Sequence, residues 1–205
     1  MRRALIALLL VGGCALNNAP APDAFYDFGP RPEKAGPSIE PLLLVEPVVA
    51  PAWLDSSAIV YRLAYGDDSQ RQSYAQSHWI GPATDLFTAR LAGQLAASAE
   101  KGIVRAGQGI AADYSLRVEL VEFAHIFDSP QTSRGVAELR ATLIDRDRRT
   151  LVAQKSFAVS KPARTPDASG AVQALRAAAD TVIADIVNWV AKASSKQDGG
   201  LRTQD

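Results

Sequence analysis

The chain has 205 residues, which is enough for one ordinary domain and short for two. Hydrophobic residues make up 47% and charged residues 21%, the balance of a folded globular protein rather than a disordered one. The formal net charge is zero, and the chain has one cysteine and two histidines. This composition argues against a nucleic-acid-binding protein, excludes an internal disulfide framework and makes a Cys/His zinc site improbable.

The N-terminus has the pattern of a bacterial lipoprotein signal. Two arginines precede an apolar run over residues 4–11, which is too short to span a membrane. Val11-Gly12-Gly13-Cys14 then resembles the lipobox, in which an aliphatic and two small residues precede a cysteine. We therefore predict a signal peptide over residues 1–13, cleaved between Gly13 and Cys14, with a diacylglycerol and an N-acyl chain on Cys14. A plain secretory signal with a chance cysteine is the alternative.

The segment after the lipobox is rich in proline. Residues 14–23 are small and polar, which predicts a flexible tether between the lipidated cysteine and the domain. Eight of the twelve prolines lie between Pro20 and Pro51, so extended segments are expected there rather than helices. Pro47 indicates that its strand either lies at an edge or carries a bulge. The strands predicted in this half are 25–28, 42–49, 58–65 and 70–76, the last two forming a hairpin.

Two predicted helices flank three further strands. The first helix spans Pro82 to Lys101 and the second runs from Ser169 to about Ala193, each with one apolar stripe. The strand that begins at Tyr114 loses its alternation at Val121, which predicts a β-bulge. Strands over 136–144 and 151–160 follow, joined by a turn.

The order of these elements predicts the fold class. Each amphipathic helix needs a sheet face to cover its stripe, so we expect an α+β fold, a mixed α/β sandwich. Its sheet is expected to be largely antiparallel and covered by the two helices. The single domain is predicted to span residues 24–193, and a disordered tail is predicted over 194–205.

Motifs that could carry catalysis are weak. Gly107–Ala112 matches GxGxxA but leads into a strand rather than a helix, so a loop is the better interpretation. Ser98–Lys101 matches SxxK without its partner motifs. We interpret His125 as a partly buried structural histidine and place His78 in a loop. No metal site is predicted, and the chain is interpreted as a protein without enzymatic activity.

Three aromatic residues are candidates for contact with a partner or a lipid: Trp53, Trp79 and Tyr61. Aromatic side chains are favoured at interface hot spots, but ordinary core packing is the alternative for each. Trp189 is predicted to pack between the second helix and the sheet.

Five stretches together resemble a known family. They are YDFGP at 26–30, LLLVEPVVAPAWLDSSAIVYRL at 42–63, HWIGPATDLFTARLAGQL at 78–95, residues 116–144, and the helix from AVQAL at 171 to Trp189. With the lipobox, the sequence resembles the ABC-type transport auxiliary lipoproteins of the PqiC-like group over about residues 25–191. The resemblance implies a fold similar to the N-terminal domain of TolB. Asp27-Phe28 departs from the leucine that members often have before the glycine.

The resemblance also implies a function in the cell envelope. Such a lipoprotein would be anchored at the periplasmic face of the outer membrane, as the docking component for an MCE-domain periplasmic protein of an ABC transport system that moves phospholipids or related lipids. A homo-oligomeric ring is compatible with a ring-shaped partner. The alternatives are another envelope scaffold lipoprotein, concerned with outer-membrane assembly or peptidoglycan, and a periplasmic hydrolase that pairs Ser98 with His78 or His125.

Overall fold

The computed structural model describes residues 22–32 and 36–201, with side chains up to Ser195. The predicted signal peptide, Cys14 and most of the predicted tether lie outside the described residues. Within those residues the chain forms a curled mixed sheet of eight strands with two helices. The strands are β1 Ala24–Tyr26, β2 Leu43–Val45, β3 Ala58–Leu63, β4 Gln72–Trp79, β5 Ile103–Arg105, β6 Tyr114–Phe127, β7 Ser133–Asp145 and β8 Thr150–Pro162.

The long strand β6 organises the sheet. On one side it pairs along its length with β7, which in turn pairs with β8, and both pairings are antiparallel. On its other side β6 pairs in parallel with β2 near its start and with β3 near its end. The α+β class is confirmed, and so is the predicted β3–β4 hairpin. The short parallel pairings of β1 with β4 and of β2 with β5 and β6 were not predicted.

Two irregularities predicted from the sequence are present. The register between β6 and β7 shifts between Leu120 and Glu122, as the broken alternation at Val121 indicates. Around Pro47, Val49 lies four positions after Val45, whereas its partner Glu119 lies only three positions after Leu116, the partner of Val45. Pro47 therefore lies in a bulge. At residues 43–45 the strand is flanked by both β5 and β6, so it is not an edge strand there.

The first helix, α1, spans Ala83–Ser98 and is shorter than predicted. Pro82 occupies its N-cap, and the helix ends at Ser98 because Ala99 takes an extended backbone and forms a bridge with Ile39. The predicted stripe is confirmed: Phe87, Leu91 and Leu95 are all buried in the main core.

The second helix, α2, spans Ala168–Leu201. The prediction of a disordered tail from Ser194 is therefore wrong for residues 194–201. Ser194 is 1% exposed and its hydroxyl donates to the Val190 carbonyl, so the helix continues past Ala193 with a buried face. Trp189 contacts Phe157 of β8, with ring centroids 5.8 Å apart. In the described part of the chain, neither helix is both long enough and apolar enough to cross a membrane.

Candidate functional site

Both described helices pack on one face of the sheet. The other face, called the open face, is partly exposed along β7 and carries a small buried cluster of Val60, Ala124 and Ile126. Along β7, the residues that point toward the helices are buried, and the alternate residues are at least partly exposed. The open face carries paired charges. The Nε atom of Arg117 lies 3.0 Å from a carboxylate oxygen of Glu46. The Nη1 atom of Arg140 lies 3.4 Å from a carboxylate oxygen of Glu119. Because these pairs are largely exposed, each contributes at most about 1 kcal/mol to stability.

A denser cluster lies on the open face beyond the β6 bulge. Glu122 is only 9% exposed and binds two arginines. Arg62 donates to one of its carboxylate oxygens at 2.7 Å, and Arg71 donates to both oxygens at 2.9 and 3.0 Å. The bidentate geometry fixes the Arg71 guanidinium in position.

The fixed guanidinium supports the most exposed tryptophan of the described chain. Trp53 lies in the loop before β3 and is 48% exposed. The guanidinium carbon of Arg71 lies 3.9 Å from the centroid of the Trp53 ring, a cation–π contact. Glu122, Arg62, Arg71 and Trp53 are hereafter called the Trp53 cluster. This cluster presents one large aromatic ring to solvent on an ordered base.

The other two aromatic candidates lie elsewhere. Trp79 is 1% exposed and packs against Phe28 and Phe123 in the core, so it cannot present its ring to a partner. Tyr61 is partly buried, and its hydroxyl donates to the Gln72 side chain at 2.6 Å. Of the three candidates, Trp53 alone exposes its ring on the open face. Sequence reasoning missed Arg71 and Glu122, although the bulge at Val121 could have placed Glu122 on that face.

The two histidines differ in environment. His78 lies on β4 rather than in the predicted loop, because the strand continues to Trp79 through its parallel pairing with β1. His125 lies on β6 and is fully buried, which is deeper than the partly buried position predicted for it. Its Nδ1 lies 2.8 Å from the Tyr74 hydroxyl, and burial lowers the pKa of His125 to about 4. The same burial raises the pKa of Tyr74.

We expect His125 to make the folded state sensitive to acid. The unfolded chain binds a proton at this ring below pH about 6.5, whereas the folded chain binds one only below about 4. The free energy of unfolding is therefore unaffected by this ring above pH 6.5. It decreases as the pH falls from 6.5 toward 4, with a limiting slope of about 1.4 kcal/mol per pH unit. Urea unfolding between pH 4 and 7.5 measures this slope. His125→Gln should reduce it, whereas an equal reduction in His78→Gln would contradict the assignment.

The arrangement expected of a hydrolase is not found in the described residues. The Ser98 hydroxyl accepts a hydrogen bond from the Gly36 amide at 3.0 Å. No histidine ring in that part of the chain hydrogen-bonds a serine; His125 contacts Tyr74 instead. Residues 107–112 form the predicted loop before β6. Residues 22–32 and 36–195 hold no group of three metal-ligating side chains.

One cavity of about 610 Å³ lies between α1, α2 and the proline-rich segment before β2. Asp180 lies at its wall, 3.5 Å from the buried Arg90. Burial raises the pKa of Asp180, although the nearby arginines oppose that shift. The cavity is lined by Pro32, Gly36, Pro37, Gln94, Asp180, Thr181, Ala184, Asp185, Val187 and Asn188.

Comparison with known proteins identifies the family. The model of the ABC-type transport auxiliary lipoprotein component matches residues 26–187, which is most of the described chain. The chain belongs to this family. As an ABC-type transport auxiliary lipoprotein, it is an auxiliary component of a transport system located in the cell envelope. The resemblance found in the sequence is thereby confirmed.

Two solved structures share the fold of this auxiliary lipoprotein at low identity, and a third is similar at a lower score. A protein from Xanthomonas campestris is 22% identical, with 86% of this chain and 99% of that chain covered and a TM-score of 0.75. An uncharacterised protein is 19% identical, with 82% and 99% covered and a TM-score of 0.63. The PelC dodecamer from Paraburkholderia phytofirmans is 14% identical, with 76% and 93% covered and a TM-score of 0.44. No curated protein matches the sequence.

Proposed function

We propose that this auxiliary lipoprotein is the non-catalytic docking component of an MCE-type ABC transport system that moves phospholipids or related lipids across the periplasm. Lipids on Cys14 would anchor it at the periplasmic face of the outer membrane. The observation that carries the proposal is the family match over residues 26–187. The lipobox at residues 11–14 supports the anchor. The auxiliary lipoprotein then acts by holding a partner rather than by chemistry.

The Trp53 cluster is the surface that we assign to docking. Tryptophan and arginine are the residues most enriched at interface hot spots, and here the two are already stacked. The ion pairs to Glu122 hold Arg71 before a partner arrives, which reduces the entropy lost on binding. An apolar group of the partner can cover the exposed half of the Trp53 ring.

Site-specific crosslinking in intact cells tests this function. A photoreactive amino acid in place of Trp53 should capture an MCE-domain protein, identified by mass spectrometry. The same amino acid in place of Leu151, which is 62% exposed on β8, is the matched control. Capture of only peptidoglycan-linked or outer-membrane-assembly proteins would favour the alternative envelope scaffold and overturn the transport proposal. Capture of the MCE protein from position 151 alone would place the docking surface near Leu151 instead of at the Trp53 cluster.

Removing the Trp53 ring should separate docking from folding. We expect Trp53→Ala to reduce the recovery of the MCE protein in a crosslinked pull-down. The free energy of unfolding should fall by about 1 to 3 kcal/mol, because the variant loses the cation–π contact and the packing of the half of the ring that is buried. The matched control is Tyr65→Ala, which removes another half-exposed aromatic ring. Equal recovery with both variants would contradict the role of Trp53.

A further inference from the structure

Two large apolar side chains are exposed where the described chain begins. Phe25 on β1 is 60% exposed, and Ile80, directly after β4, is 67% exposed. The two segments are adjacent, because β1 pairs in parallel with β4 and the Ile80 amide donates to the Tyr26 carbonyl at 2.8 Å. These two side chains therefore belong to one surface at the edge of the sheet.

The register places both side chains on the same face. Phe25 is the partner of His78, and their rings lie 5.8 Å apart. Successive side chains alternate between the faces of a strand, so Ile80 points to the same side as His78 while Trp79 points into the core. Asp27 follows on that side, but its carboxylate accepts the Gly29 amide at 2.6 Å and is thus turned toward its own backbone.

The sequence brings this surface close to the predicted anchor. Phe25 lies eleven positions after Cys14 (25 − 14 = 11), so a fully extended chain could span at most about 40 Å between them. β1 is the first element after the tether, so its surface is the part of the domain most closely linked to the bilayer. The anchor also keeps that surface at a high local concentration beside the membrane.

We propose that Phe25 and Ile80 form a contact surface for the lipid bilayer in which Cys14 is anchored, and that this contact orients the domain. The proposal rests on the lipid anchor in the proposed function, but it does not require an MCE partner. A second copy of the chain is a poorer occupant. Two side chains of this size supply a few hundred Å² at most, short of the about 800 Å² per partner in a stable interface.

Spin labels in proteoliposomes test the contact. Cys14 is the only cysteine, and lipidation blocks its thiol, so Phe25→Cys or Ile80→Cys provides a unique labelling site. The full mature lipoprotein is reconstituted into vesicles of phosphatidylethanolamine and phosphatidylglycerol. Collision of a nitroxide label with oxygen, relative to a water-soluble nickel complex, should increase several-fold at positions 25 and 80 on reconstitution. A label introduced by Leu151→Cys, exposed on β8, should not change.

Each contrary outcome overturns the proposal at a different step. If the unlabelled protein fails to float with the vesicles, both the lipid anchor and the bilayer contact are contradicted. If it floats but labels at 25 and 80 remain as water-accessible as the label at 151, only the bilayer contact falls. Spin–spin broadening at 25 and 80 without a gain in oxygen collisions would assign the surface to a second copy. Flotation is independent of any MCE protein, so none of these results tests the docking partner.

Discussion

Replacement of Arg90 by methionine should lower the free energy of unfolding by about 3 to 4 kcal/mol. Arg90 lies on α1 and is 6% exposed, and its guanidinium donates to the backbone carbonyls of Phe28, Gly29 and Pro30. It also lies 3.5 Å from Asp180 of α2. Methionine keeps an apolar stem of similar length but leaves the carbonyls without their donor and Asp180 without its nearest cation.

The matched control for Arg90→Met is Arg117→Met on the open face. The Arg117 side chain is 63% exposed, and its pair with Glu46 should contribute at most about 1 kcal/mol. Urea unfolding followed by tryptophan fluorescence measures both variants, since Trp79 lies beside Phe28 in the core. A loss for Arg90→Met no larger than for Arg117→Met would show that the carbonyl contacts do not hold the first strand against the helices.

Local patterns predicted the elements that depend on neighbouring residues. The apolar stripe of Phe87, Leu91 and Leu95 marked α1, and the broken alternation at Val121 marked the β6 bulge. Pro47 marked the bulge after β2 for a comparable reason, because proline lacks the amide donor that a continuous ladder needs. These features depend only on the spacing of residues within one segment, so they can be predicted from the sequence of that segment alone.

The parallel pairings and the Trp53 cluster depend on contacts between distant segments. β2 pairs with β5 and β6, which lie about 60 and 70 residues further along the chain, and each pairing covers only three residues. Trp53 was a candidate from its loop position, but its support by Arg71 and Glu122 joins three separate segments. For the same reason the core position of Trp79 was not predicted. Trp79 is buried because β4 extends to residue 79, beyond the strand predicted from its sequence.

Because α2 approaches β7 closely, Gly135 is the position in the sheet that tolerates a side chain least. An added Cβ at Gly135 would lie 2.6 Å from the Leu175 amide nitrogen and 2.7 Å from the Ala174 carbonyl carbon. Both atoms belong to the backbone of α2, so they cannot give way by a change of side-chain rotamer. Gly135→Ala must therefore displace the helix from the sheet, and we expect it to lower the free energy of unfolding by about 3 kcal/mol.

Gly81→Ala is the matched control, because an added Cβ at Gly81 meets no atom within 4 Å. The control should be neutral or slightly stabilising, since alanine restricts the unfolded chain more than glycine does. Urea unfolding of both variants gives the comparison. A Gly135→Ala variant as stable as Gly81→Ala would mean that α2 can shift along β7 at little cost. The opposite result would show that the folded state requires the close approach of α2 to β7.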